Sequence, residues 1–178
     1  MDEITLENDR RNVTDEFRGL SVAEIKRQLD TRRVALQIAV ENLERDFNAG
    51  TIVRNANAFN VGAVHIVGRR QWNKRGAMAT DFYMNVRYHQ SVADFVKAVG
   101  NRPIIGVDNI EGSVPLNGFE FPGNAVLVFG SEGPGLSQEM IGACQAIVAI
   151  EQFGSTRSIN VGVASGIAMY AWLQQNVL

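Results

Sequence analysis

The sequence predicts an α/β protein with a mainly parallel sheet and helices on both faces. Two observations carry that prediction. Short apolar runs of strand length alternate along the chain with helical stretches, which is the pattern of strands joined by crossover helices. The runs "AVHIVG", "RPIIGVD", "NAVLVFG" and "AIVAI" read as buried strands, and a parallel sheet is buried on both faces. The length of 178 residues suits one such domain, with a sizeable core.

The first thirty or so residues are highly charged. Within them, "SVAEIKRQLDTRR" carries a capping box, with Ser21 at the cap and Glu24 reaching back, and predicts a helix over 22–32. This helix extends the domain rather than forming one, so residues 1–33 are read as an N-terminal helical extension and 34–178 as the domain proper. A solvated amphipathic helix satisfies the same pattern.

"VALQIAV" is the first strand, and "AGTIVRNANAF" follows with helical spacing. "AVHIVG" is a short strand closed by Gly68. "SVADFVKAVG" reads as a helix opened by Ser91 and stopped at Gly100. "RPIIGVD", "NAVLVFG" and "AIVAI" supply three more strands, with the short helix "SQEMIGAC" between the last two. "NVGVASGIAMYAWLQQ" is the final helix. There is no internal repeat and no low-complexity tract.

Composition excludes several classes. The formal net charge is −2, so any contact with nucleic acid must come from a local basic patch. Cys144 is the only cysteine, which rules out an internal disulfide and fits a reducing compartment. No apolar run approaches the ~20 residues of a membrane span. The opening "MDEITLENDR" is acidic rather than signal-like, and the expected location is cytoplasmic. The two histidines and single cysteine form no cluster, so no metal is expected. His65 lies in an apolar strand and reads as a satisfied core residue, while His89 carries no signal.

Three loops after strands hold the chemistry, as open α/β sheets lead one to expect. In "NAGTIVRNANAF", Asn48 and Gly50 open a helix and Arg54 follows; a solvent-facing arginine would have the same spacing. In "FGSEGPGLSQEM", Gly130, Gly133 and Gly135 allow close backbone approach to a ligand, and Glu132 adds a carboxylate. This stretch lacks the endings of a P-loop and of a dinucleotide fingerprint. In "AIEQFGSTRSINVGVA", the residues Ser155, Thr156, Arg157, Ser158 and Asn160 precede an apolar helix. One helix cap needs one such residue, so the remainder calls for another explanation.

Together the loops resemble the three motifs of the SpoU-type, TrmH-like RNA ribose methyltransferases of the SPOUT superfamily. "NAGTIVR" is similar to the Asn-x-Gly-x-x-x-Arg motif, "VLVFGSEGPGL" to the glycine/glutamate motif, and "IEQFGSTRSINVGVA" to the Ser-Leu-Asn-Val motif. The likeness runs from about residue 35 to residue 174. It implies a C-terminal deep trefoil knot that holds S-adenosyl-L-methionine, and the polar insert would belong to that knot. It implies that Gly130, Ile150 and Ile159 line the cofactor pocket through backbone groups. Arg54 would be catalytic, with Asn48, Glu132, Ser158 and Asn160 completing the active site. Two positions depart from the family pattern. Ile159 replaces the usual leucine, and Gly162 replaces a small polar residue, a change expected to loosen the start of the last helix.

The reaction so implied moves a methyl group from a sulfonium to a ribose 2′-oxygen of RNA, with tRNA the first choice of substrate and rRNA the second. Arg54 would either take the hydroxyl proton or stabilise the alkoxide. "GRRQWNKRG" supplies Arg69, Arg70, Lys74 and Arg75 for phosphates, with Trp72 to stack on a base. A solvated basic loop is the plain alternative. The resemblance also implies a homodimer, to which Met169, Tyr170 and Trp172 of the last helix would contribute unless they are core. A knotted RNA-binding module without catalysis is the second reading. An unrelated nucleotide-binding enzyme such as a dehydrogenase is a third, disfavoured by the missing fingerprint.

Overall fold

The computed structural model describes residues 5–42, 48–131 and 133–178. Among them a seven-stranded sheet runs in the order β3-β2-β1-β6-β4-β7-β5. Its strands are β1 (Val34–Asn42), β2 (Val61–Gly68), β3 (Val86–His89), β4 (Ile104–Val107), β5 (Val114–Pro115), β6 (Val126–Phe129) and β7 (Ala146–Ala149). Every neighbouring pair is parallel. The helices are α1 (Val22–Asp30), α2 (Asn48–Ala58), α3 (Val92–Val99), α4 (Gln138–Ala143) and α5 (Val161–Asn176).

The period-2 alternation of strand side chains explains why both faces are covered. Ile38, Val40, Leu127 and Phe129 point to one side and meet Ile52, Val53 and Ala56 of α2 and Ala168, Met169 and Trp172 of α5. Ala39, Val126 and Val128 point to the other and meet Phe95 of α3 and Met140 of α4. The expected strands and helices are present. The sequence reading missed β3 and β5. β3 is a half-exposed edge strand without an apolar run, and β5 is two exposed residues held by β7.

The capping box of α1 forms as expected, Ser21 and Glu24 satisfying each other's backbone. Ile25 and Leu29 of this helix pack with Phe17 and Tyr83 in a small cluster separate from the main core. Arg33 locks the segment down, donating to the carbonyls of Tyr83 at 2.6 Å and Val61 at 3.2 Å.

The connection from β4 to β6 passes beyond β7, pairs there as β5, and returns along the far half of α5. The Trp172 indole donates to the Pro122 carbonyl at 2.9 Å, and the Gln175 side chain bonds both Phe119 and Phe121. Among the described residues, no helix is long and apolar enough to cross a membrane.

Candidate functional site

Because the strands are parallel, the loops following β6, β4 and β7 emerge side by side at one end of the sheet. They enclose a cleft of about 570 Å³. Gly130, Ile150, Ser158, Ile159 and Asn160 all line it, so residues from two of the three motifs converge there.

The glycine loop is built tightly. Ser131 and Gly135 exchange backbone hydrogen bonds of 3.2 and 3.0 Å, which folds the segment back on itself. Gly130 lies beneath this turn, and a methyl group there would come within 2.2 Å of Gly135. Gly133 and Gly135 have φ of 94° and 70°, the left-handed region that glycine enters without strain. Glu132, expected to be catalytic, lies outside the described residues.

Asn160 joins the first and third motifs. Its side-chain carbonyl accepts from Gly162 N at 2.9 Å and Val163 N at 3.3 Å, capping α5. Its amide donates to Asn48 Oδ1 at 2.8 Å, at the start of α2. A second tie runs parallel to it: Asn55 donates to Gly162 O at 2.8 Å and Ser165 Oγ at 3.0 Å. α5 begins at Val161, directly before Gly162. The missing side chain of Gly162 lets Thr51 approach, since a methyl group there would sit 2.9 Å from the threonine methyl. The glycine is thus a packing contact between α2 and α5.

Arg54 stands exposed on α2 and does not line the cleft of its own chain. Arg157, already part of the polar insert, belongs to the arrangement, and three further residues, Asp108, Asn109 and Phe153, were missed. Asp108 and Arg157 line the cleft, and the Asn109 side chain donates to the Arg157 carbonyl at 3.0 Å, tying the polar insert to the loop after β4. The signal for Asp108 was present, because it ends the apolar run "RPIIGVD" at the carboxyl end of a strand. Phe153 is 98 % exposed within the same insert, an aromatic side chain among small polar residues.

The basic loop after β2 leaves the same end of the sheet and rests against α2. Gly50 meets the backbone of Gly76 and Ala77 so closely that a methyl group would come within 2.8 Å of both nitrogens. Arg69, Arg70 and Arg75 are exposed. Lys74 is paired with Asp81 at 2.7 Å, which raises its pKa, and its ammonium lies 5.5 Å from the Trp72 ring. Trp72 is only 8 % exposed and packs in the main core, so its expected stacking on a base is corrected. Tyr88 and Phe82 are the exposed aromatic rings there, with the Arg70 guanidinium 5.0 Å from the Tyr88 ring. Met169 and Trp172 are likewise core, whereas Tyr170 is exposed.

Among the described residues, no group of three or more His, Cys, Asp or Glu gathers to hold a metal. His65 is fully buried and bonded on both ring nitrogens, to His89 at 2.8 Å and Gln37 at 2.9 Å, as a satisfied core residue should be.

Comparison with known proteins decides the family, because the SpoU rRNA Methylase family matches residues 35–170. The chain belongs to that family. Among SpoU relatives, a protein of Mycobacterium sp. (strain KMS) described as an uncharacterized tRNA/rRNA methyltransferase is 31 % identical over 142 residues, covering 76 % of this chain and 45 % of its own. The chain thus spans about half the length of such curated relatives. A solved structure described as giving insights into 2′-OH methylation of C/U34 on tRNA has a TM-score of 0.69 and 26 % identity, covering 79 % of this chain and 95 % of that one. The AdoMet-bound rRNA methyltransferase of Sinorhizobium meliloti has a TM-score of 0.73 at 22 % identity, covering 86 % of this chain and 60 % of that one, and shares the SpoU fold.

Proposed function

We propose that this SpoU-family chain is an S-adenosylmethionine-dependent RNA methyltransferase acting on a ribose 2′-hydroxyl, in tRNA first and rRNA second. The observation that carries the reading is the convergence of two of the three family motifs on one cleft, with Asn160 bonded to Asn48 of the remaining one.

The cleft fits the cofactor. Gly130 and Gly135 bring backbone rather than side chain to its wall, and Ile150 and Ile159 line it and would offer main-chain groups. When bound, S-adenosylmethionine supplies an electrophilic methyl group on a sulfonium. Ser158 and Asn160 line the same cleft and would orient the ribose. Holding the hydroxyl close and in line, away from bulk water, lowers the barrier because opposite charges vanish as the methyl group moves. A guanidinium is a poor proton acceptor at neutral pH, so Arg54 would stabilise the developing alkoxide while an RNA phosphate or water takes the hydroxyl proton.

Arg54 does not reach the cleft of its own chain, and that supports a homodimer in which both chains complete each site. Val163, Ile167 and Tyr170 form an exposed stripe on α5 at helical spacing, suited to a second copy. The C-terminal knot belongs to the same reading. The Asn109 bond to Arg157, the pairing of β5 with β7 and the contacts of residues 119–122 with α5 all support a threaded polar insert. We place the division between an N-terminal extension and the methyltransferase domain at residue 33, beside the family match that begins at 35. RNA phosphates would meet Arg69, Arg70 and Arg75, with Lys74 already shared with Asp81, and the setting would be cytoplasmic.

The test is methyl transfer from labelled S-adenosylmethionine to unmodified tRNA and rRNA, with mass spectrometry to place the methyl group. Label on a ribose 2′-oxygen is expected. Arg54→Ala should lose at least about a hundredfold in rate, a typical loss for removing a transition-state donor, while still binding cofactor. RNA binding without transfer by the wild-type chain would favour the non-catalytic module instead.

A further inference from the structure

The glycine loop is held from both sides by carboxylates outside the three motifs. β1 and β4 are the two neighbours of β6 in the sheet, and each contributes one. Glu41, on β1, is 1 % exposed. One of its carboxylate oxygens accepts from the Ser137 backbone N–H at 2.8 Å and the other from the Ser137 hydroxyl. Its own main-chain carbonyl accepts from the Ser131 hydroxyl at 2.9 Å. Asp108, just after β4, accepts from Leu136 N at 2.9 Å and from Asn109 N at 2.8 Å. A methyl group on Gly135 would come within 2.4 Å of the Asp108 carboxylate, so the loop backbone lies directly on it. Residue 41 therefore grips both ends of the segment 131–137, and residue 108 grips it beside the second end.

Burying a carboxylate is costly unless hydrogen bonds compensate it. Among the described residues no cation pairs with Glu41, and its compensation comes from groups of the loop. An apolar side chain would close β1 against α4 at no such cost. What the carboxylate adds is direction. It accepts the hydrogen bond of the Ser137 hydroxyl, which leaves a lone pair of that oxygen facing Met140 N at 3.1 Å and sets the first turn of α4. The loop is thus fixed between a strand end and a helix start.

We infer that Glu41 is a positioning residue for cofactor binding. By holding Ser131 and Ser137 it sets the backbone of residues 130–131 and 133–135 along the cleft wall, with Asp108 as the second anchor. The inference rests on the S-adenosylmethionine reading above.

The test uses the full chain with Glu41→Gln, which keeps the shape, beside Ser137→Ala and the double variant. Hydrogen exchange of 130–137 without cofactor reports the loop, and calorimetric titration with S-adenosylmethionine reports binding. In Glu41→Gln, amides of 130–137 should exchange roughly tenfold faster with β2 and α5 unchanged, and cofactor Kd should rise roughly tenfold. The double variant should bind no more weakly than the poorer single, since both remove one shared interaction. Unchanged exchange in 130–137 would overturn the inference. Faster exchange with wild-type Kd would also overturn it, leaving Glu41 a structural residue only. Failure of the wild-type chain to bind S-adenosylmethionine is a separate result, and it would remove the cofactor reading together with this one.

Discussion

The Asn160 side chain makes three of the described hydrogen bonds, and they can be separated by mutation. Its carbonyl oxygen caps α5 through Gly162 N and Val163 N, while its amide nitrogen donates to Asn48. Aspartate keeps the cap and sets an oxygen against the Asn48 carbonyl; alanine loses both interactions. Asn160→Ala should therefore cost about 1 kcal/mol of stability, the usual value of an N-cap, in a denaturant titration. Asn160→Asp should stay close to wild type in that titration yet fall with alanine in methyl transfer. Equal stability losses in the two variants would show that the bond to Asn48, not the cap, holds α5. The sequence marked Asn160 as polar chemistry before a helix, but its partner is 112 residues away and no local pattern names it.

At the scale of elements, the contact of α2 with α5 is where sequence rules and structure part. Helix propensity favours alanine over glycine by about 1 kcal/mol, so Gly162→Ala should stabilise an isolated α5. In the protein the added methyl group would lie 2.9 Å from the Thr51 side chain and 3.0 Å from Asn160 Oδ1. We expect Gly162→Ala to lower the melting temperature rather than raise it, and Gly162→Ala with Thr51→Ser to recover part of the loss. A stabilised single variant would show that α5 can shift away from α2 freely. The edge strand β3 escaped the sequence for a related reason. Its neighbours supply its order, through the pairing of residues 64–67 with residues 86–89, and its own side chains carry no apolar run.

Across the whole molecule, two predictions concern stability with pH and assembly. Burial first, then the neighbouring charges of His89, Arg87 and Arg102, pushes the His65 pKa down to about 3. Burial lowers His89 as well. A His65 proton on Nε2 serves the Gln37 carbonyl and leaves Nδ1 to accept from His89, so protonating His65 would set donor against donor. The unfolded chain takes up a proton near pH 6.5, and the folded chain resists it until about pH 3. The stability present above pH 6.5 is thus lost progressively as pH falls toward 3, by up to about 1.4 kcal/mol per unit for one proton. Denaturation midpoints should fall over that window, and His65→Gln should flatten the slope. For assembly, Ile167→Asp on the exposed stripe of α5 should convert a dimer to monomer in analytical ultracentrifugation without lowering cofactor affinity more than severalfold. A wild-type chain that sediments as monomer would sink the shared-site reading.

What the sequence determined by itself was local and periodic. Apolar runs of strand length, Ser21, Ser91 and Ser137 before their helices, and the glycines of 130–135 each follow from a backbone requirement satisfied within a few residues. The family resemblance carried the site residues as far as the motifs reached. Only the tertiary structure placed Trp72 in the core, paired Lys74 with Asp81, and brought Glu41 and Asp108 onto one loop from two strands. The physical reason is the parallel sheet. Its strands are far apart in the chain yet end side by side, so hydrogen bonds at that end join residues that no sequence window contains.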